Sequence, residues 1–270
     1  MNRDDVLITA EELRGTLADR GAVTVLDVRW QLAAPDGRGD YEAGHVPGAV
    51  YVSLEDELSD HAVRGRGRHP LPSGSSVQEA ARRWGVRTGV PVVVYDDWNR
   101  AGSSRAWWVL TAAGIPDVRI LDGGLAAWRA AGGELETGSA TTAPGDVTVV
   151  HDDLYRGGLP TLTADEAAAL GARLIDARAP ERFRGDVEPV DPVAGHVPGA
   201  RNLPSTSLLA ADGTFLSAPG VDAEGAYCGS GVTASVVVAA LASAGVSVAL
   251  FPGSWSQWCA EPDRPVATGE

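Results

Sequence analysis

Two cysteines occur in the 270 residues, Cys228 and Cys259, and Cys228 heads the loop Cys228-Gly229-Ser230-Gly231-Val232-Thr233-Ala234. A lone cysteine is ordinarily a small buried hydrophobe. The setting of Cys228 points instead to a nucleophile. It follows the strand-like Ala226-Tyr227 and precedes an apolar helix candidate, Thr233 to Ala244, ended by Gly245. In open α/β sheets ligands sit beyond the carboxyl ends of strands. There backbone N–H groups converge ahead of a positive helix terminus. Gly229 and Gly231 allow a tight curl and close backbone approach. Such a site favours a thiolate, and it equally suits the anionic outer sulfur of a Cys–S–S⁻ persulfide. Ser230 and Thr233 add hydroxyl donors.

Cysteine phosphatases also open a helix with a cysteine loop, but they need an Arg after five intervening residues. Here that position is Ala234, and the loop carries no Arg. Without a bidentate guanidinium, phosphate chemistry is excluded. Two cysteines are also too few for a disulfide framework or a cysteine-rich zinc site.

The elements that position this loop occur twice. Val25-Leu26-Asp27-Val28-Arg29 and Ala43-Gly44-His45-Val46-Pro47-Gly48-Ala49 come back as Leu174-Ile175-Asp176-Ala177-Arg178 and Ala194-Gly195-His196-Val197-Pro198-Gly199-Ala200. Thr9-Ala10-Glu11-Glu12 and Thr163-Ala164-Asp165-Glu166 both read as capping boxes, with Gly21 and Gly171 as helix stops. Pro91-Val92-Val93-Val94-Tyr95 matches Ala226-Tyr227, and a helix from Ser104 to Ala113 matches the one after Cys228. Asp122-Gly123-Gly124-Leu125-Ala126-Ala127-Trp128 parallels Pro252-Gly253-Ser254-Trp255-Ser256-Gln257-Trp258. Each copy alternates strands and helices, which predicts a mainly parallel sheet with helices on both faces. The expected organisation is an N-terminal α/β domain over 1–137, a linker over 138–159 and a C-terminal domain over 160–270. At the position of Cys228 the first copy has Asp96, in Asp96-Asp97-Trp98-Asn99-Arg100. A carboxylate is no sulfur nucleophile, so this copy is expected to be catalytically silent and to wall the cleft.

The formal net charge is −14, and every basic residue is Arg. A surface this acidic repels nucleic acid and anionic membranes at long range, so an anionic substrate needs a local positive site. No apolar run reaches the ~20 residues of a membrane span, and Met1-Asn2-Arg3-Asp4-Asp5 lacks a signal-peptide pattern. A cytoplasmic protein is expected. Arg64-Gly65-Arg66-Gly67-Arg68 reads as a solvated basic loop, without the interleaved aromatics of nucleic-acid stacking. Trp107, Trp108, Trp128 and Trp258 read as packing residues, Trp255 as packing or pocket border, and Cys259 as a structural thiol.

Taken together, the doubled Gly-His-Val-Pro-Gly-Ala, the two Gly-bearing segments ending in Trp128 and Trp258, and the Cys228 loop resemble the two-domain rhodanese family over nearly the whole chain. The resemblance implies two tandem rhodanese-like domains and ping-pong sulfur transfer through a persulfide on Cys228, with no metal or organic cofactor. The donor would be a small anion. The acceptor would be cyanide or a thiol, thioredoxin-like proteins among them. Gly229, Gly231, Val232 and Thr233 would frame the donor sulfur, and Ser230 would assist thiol activation or substrate polarisation. Arg182 matches the family's substrate-binding Arg, while Asp36 and His45 resemble a relay reaching the active Ser from the first domain. His45 recurs as His196, however, so its bland reading is a backbone-anchoring residue. The loop resembles the 3-mercaptopyruvate branch rather than the basic loop of the thiosulfate branch. That branch carries a second Arg after a Glu-Pro pair, whereas this chain reads Glu188-Pro189-Val190-Asp191. Three readings follow: 3-mercaptopyruvate sulfurtransferase, thiosulfate:cyanide sulfurtransferase, or a persulfide carrier or sensor that hands sulfur to a protein.

Overall fold

The computed structural model describes residues 1–19, 21–217 and 220–270. The first half holds β1 (Leu7–Ile8), β2 (Thr24–Asp27), β3 (Val50–Tyr51), β4 (Val92–Tyr95) and β5 (Val118–Leu121) in one parallel sheet of order β1-β5-β4-β2-β3. The second half holds β6 (Leu174–Asp176), β7 (Arg201–Asn202), β8 (Gly225–Tyr227) and β9 (Ala249–Leu250), parallel in the order β7-β6-β8-β9. A parallel bridge from Thr161 to Leu250 stands where β1 meets β5 in the first half. All four residues of β4 and all three of β8 are buried. Helices cover both faces, so the fold is α/β with a doubled unit, as expected.

Local chemistry sets the boundaries. Thr9 and Thr163 each accept from the N–H of the third helical residue, while Glu12 and Glu166 bond back to the cap N–H groups. Both capping boxes are therefore complete. The doubled His motif does one job twice. His45 Nδ1 contacts the carbonyl of Tyr41 at 2.9 Å and stacks on its ring, and His196 Nδ1 contacts that of Phe183 at 2.7 Å and stacks likewise. The next residues, Val46 and Val197, donate their N–H groups to the hydroxyls of Tyr95 and Tyr227, each at 3.0 Å. Asp27–Arg29 and Asp176–Arg178 are buried ion pairs whose guanidiniums also donate to the carbonyls of Gly44 and Gly195. The repeated residues thus hold β-strand ends to their crossover loops.

The helices after β4 and β8, Ala101–Ala112 and Ala234–Ser243, pack on each other and join the two halves. Every residue of the second is buried. Its Val/Ala surface is apolar all round because one side covers its own sheet and the other meets the partner helix. Residues 138–159 carry no strand among their number. They run along the first half, where Gly138 donates to the carbonyl of Glu42, Gly145 to that of Arg82 and Val150 to that of Ala113. No helix among the described residues is long and apolar enough to cross a membrane.

Candidate functional site

Cys228 follows β8 directly and is buried. Its carbonyl accepts from Trp255 at 3.0 Å, and its N–H donates to Ser254 Oγ at 3.1 Å. The carbonyl of Gly229 accepts from Ser256 at 2.9 Å. The Gly253–Ser256 turn is thus the cradle of the cysteine backbone. The N–H of Gly231 points back at Cys228 Sγ, 3.1 Å away, a donor that suits a negative sulfur. Gly231 has φ +82°, and a Cβ there would stand 2.4 Å from the carbonyl oxygen of Pro252. Only glycine meets both conditions. Thr233 caps the buried helix, so the loop ends on its positive terminus.

A cleft of about 290 Å³ opens onto this loop, lined in part by Cys228, Gly229, Ser230, Val232, Thr233 and Arg182. These expected residues are therefore brought together. Across the cleft lie Trp30, Leu32, Arg68, Trp98 and Asn99 of the first half. Trp255 is fully buried and donates its indole N–H to the carbonyl of Val193; it packs rather than borders the cleft.

Asp36 and His45 are not brought to Ser230. Asp36 accepts from the hydroxyl of Tyr51 and the N–H of Arg38. His45 is spent on the Tyr41 carbonyl, and the carboxylate of Glu136 lies 4.0 Å from its Nε2. Neither lines the cleft. The histidine at Ser230 is His69, whose Nδ1 stands 2.7 Å from Ser230 Oγ. His69 Nε2 meets Glu55 Oε1 at 3.0 Å. That oxygen also accepts from the indole of Trp30 at 2.6 Å, and Glu55 Oε2 meets His61 at 3.0 Å.

The protonation states follow from these contacts. The hydrogen bond from His69 holds the Glu55 carboxyl down at about 2, so it is ionised. Burial pushes the His69 imidazolium pKa below its ordinary value, against the pull of Glu55. A neutral His69 facing a carboxylate must carry its proton on Nε2, because the carboxylate can only accept. Its Nδ1 is then a bare acceptor, and Ser230 donates to it. The arrangement is a carboxylate–imidazole–hydroxyl relay ending beside Cys228. Arg105 fixes its middle member, donating from Nη2 to the carbonyls of His69 and Leu58, both at 3.0 Å.

The first half therefore does more than wall the cleft, since it supplies His69, Glu55 and Arg68. Its own strand end carries no thiol. Asp96, the counterpart of Cys228, is buried and accepts from Ser103 Oγ at 2.6 Å, with Arg100 at 2.9 Å. His69 lies outside every motif that marks the site in the sequence. One signal was present: His45 has a copy in the second half, and His69 has none.

A doubled parallel α/β unit with a cysteine loop at one strand end is the fold of the tandem rhodanese-like class. The rhodanese-like domain model matches residues 9–131 and 160–261. The chain is 63% identical, over 99% of its length and 98% of the relative's, to the putative thiosulfate sulfurtransferase SseB of Mycobacterium tuberculosis. It is 43% identical, with 98% of each chain covered, to a probable 3-mercaptopyruvate sulfurtransferase of Pseudomonas aeruginosa. Among solved structures, the 3-mercaptopyruvate sulfurtransferase SseA of Escherichia coli superposes with TM-score 0.78 at 31% identity, covering 95% of this chain and 100% of that one. The chain belongs to the rhodanese family and is an enzyme of the sulfurtransferase class.

Proposed function

We propose that this sulfurtransferase takes sulfur from 3-mercaptopyruvate onto Cys228 and passes it to a thiol or cyanide. The observation that carries the donor choice is the Ser230–His69–Glu55 relay, because a keto donor needs proton transfer and thiosulfate does not. In the first step the Cys228 S–H proton leaves through Ser230 to His69 Nδ1. The thiolate attacks the donor's sulfur, an S–S bond forms and the C–S bond breaks. The electron pair passes to the methylene carbon as an enolate, which recovers the proton to give pyruvate. The Gly231 N–H and the helix terminus steady the anionic sulfur. In the second step a thiolate acceptor attacks the outer sulfur and Cys228 leaves as thiolate, splitting one transfer into two easier ones.

The donor named for the Mycobacterium tuberculosis relative, thiosulfate, supports a second reading in which the same cysteine attacks the outer sulfur and sulfite departs. Steady-state kinetics with both donors decides between them. The proposal expects kcat/KM clearly higher for 3-mercaptopyruvate; a clear preference for thiosulfate overturns it. Two free cysteines suit a reducing compartment. That supports the cytoplasm as the site of action, with a thioredoxin-like dithiol among the acceptors.

A further inference from the structure

We propose that Arg68, from the first half, and Arg182, from the second, form a two-guanidinium clamp for the donor's anionic head group, with Asp191 holding the clamp assembled. The inference deepens the reading above and rests on it for the donor. Three observations on the segment before His69 carry it.

First, the end of the segment is docked: Arg64 to Arg66 are exposed, but Gly67 and Arg68 are partly buried. Gly67 has φ +82°, and a Cβ there would lie 2.3 Å from the carbonyl oxygen of Gly253. The N–H of Arg68 donates to Ser256 Oγ at 2.9 Å. Arg68 is therefore pinned to the turn that cradles Cys228.

Second, the two guanidiniums converge on the residue after the nucleophile. A Cβ on Gly229 would stand 3.2 Å from Arg68 Nη2 and 3.6 Å from Arg182 Nη1. Both side chains line the cleft. Asp191 joins them, with Oδ1 at 2.6 Å from Arg68 Nη1 and Oδ2 at 3.6 Å from Arg182 Nη2. Glu188 takes the Nε and Nη2 of Arg182.

Third, donors are left over. Among the described residues, Arg68 Nε is buried with no hydrogen-bond partner, and so is Asp191 Oδ2. No protein acceptor meets Arg68 Nη2 or Arg182 Nη1 among the described residues; both face Gly229, as does the Glu188-bound Nη2 of Arg182. Two planar guanidinium forks at one point suit a carboxylate or sulfonate. On a chain of net charge −14, their free N–H groups offer an anionic donor hydrogen bonds, while Asp191 and Glu188 balance their charge.

The test compares alkylation of Cys228 by iodoacetate and by iodoacetamide, followed by intact mass, in the wild type and in Arg68→Gln. Both reagents attack the same sulfur, and one carries the carboxylate. The clamp predicts an iodoacetate-to-iodoacetamide rate ratio about tenfold lower in R68Q, with the iodoacetamide rate within about twofold of wild type. Arg68→Lys, which keeps the charge, retains most of the ratio. An unchanged ratio in R68Q, or an equal fall with both reagents, overturns the clamp. The donor reading is scored separately. A clamp-dependent ratio in a wild type that forms no persulfide from 3-mercaptopyruvate refutes the reading and keeps the clamp. Normal persulfide formation with an unchanged ratio does the reverse.

Discussion

Ser230 Oγ lies 2.7 Å from His69 Nδ1, joining residues 161 positions apart and one from each half of the chain. The contact places a proton acceptor beside Cys228 without putting a charge in the cleft. The imidazole and the hydroxyl it faces thus come from different copies of the fold.

Removing either end of this contact is expected to slow sulfur uptake. Ser230→Ala and His69→Gln should each lower kcat with 3-mercaptopyruvate by roughly 10²–10⁴-fold, the usual range for positioned acid–base groups. The double variant should cost little more than either single one, since the two act as a unit. Additive losses in stopped-flow assays of persulfide formation would separate them.

His45 is expected to behave oppositely. His45→Ala removes a buried ring stacked at 4.1 Å on Tyr41 and should cost about 1–3 kcal/mol of stability, with kcat near wild type. Urea melts and steady-state rates on the same sample test this. A stable variant with collapsed kcat would return His45 to the relay.

The pH response has a definite sign. His69 has a folded pKa below the ordinary ~6.5, because burial disfavours its charged form. Between the folded and unfolded values the unfolded chain binds more protons, so this residue's contribution to stability is present above ~6.5 and falls with pH through that window. Histidine NMR titrations should show one resonance, absent in His69→Gln, titrating below the usual range. His69→Gln should also flatten the stability profile there. A His69 titrating at or above ~6.5 contradicts the assigned tautomer and charge.

Arg105 is expected to act through His69. It is fully buried and, among the described residues, bonds only backbone carbonyls, including that of His69. Arg105→Met should lower kcat for persulfide formation more than it raises donor KM, while iodoacetamide still alkylates Cys228 at a near-normal rate. Equal slowing of alkylation would show that the cysteine loop itself had moved.

Much of this molecule was legible because the chain states its fold twice. The capping boxes at Thr9 and Thr163, the Asp-x-Arg pairs and the Gly-His-Val-Pro-Gly-Ala turns recur because each fixes the end of a helix or strand within its own copy. The Cys228 loop was legible for a related reason, since a nucleophile must sit at a strand end before a helix. Glu55, His69 and Arg68 were harder to see. Glu55 meets Trp30, His61 and His69 within the first half, while His69 and Arg68 reach Ser230 and Asp191 in the second, and no local periodicity marks such contacts. The Asp36–His45 relay was expected from the family resemblance, and the copy of His45 at His196 already spoke for a backbone anchor. The unrepeated His69 and Arg68 were the positions free to serve the site. Repetition here marks the scaffold, and its absence marks the chemistry.

The central claim is that Cys228 carries the transferred sulfur, and intact mass spectrometry with peptide mapping tests it most directly. After mixing with 3-mercaptopyruvate, the wild type should gain one sulfur on Cys228 and lose it on addition of a thiol. Cys228→Ser should keep its fold and gain none. Sulfur retained by C228S, or mapped to Cys259, would contradict the account.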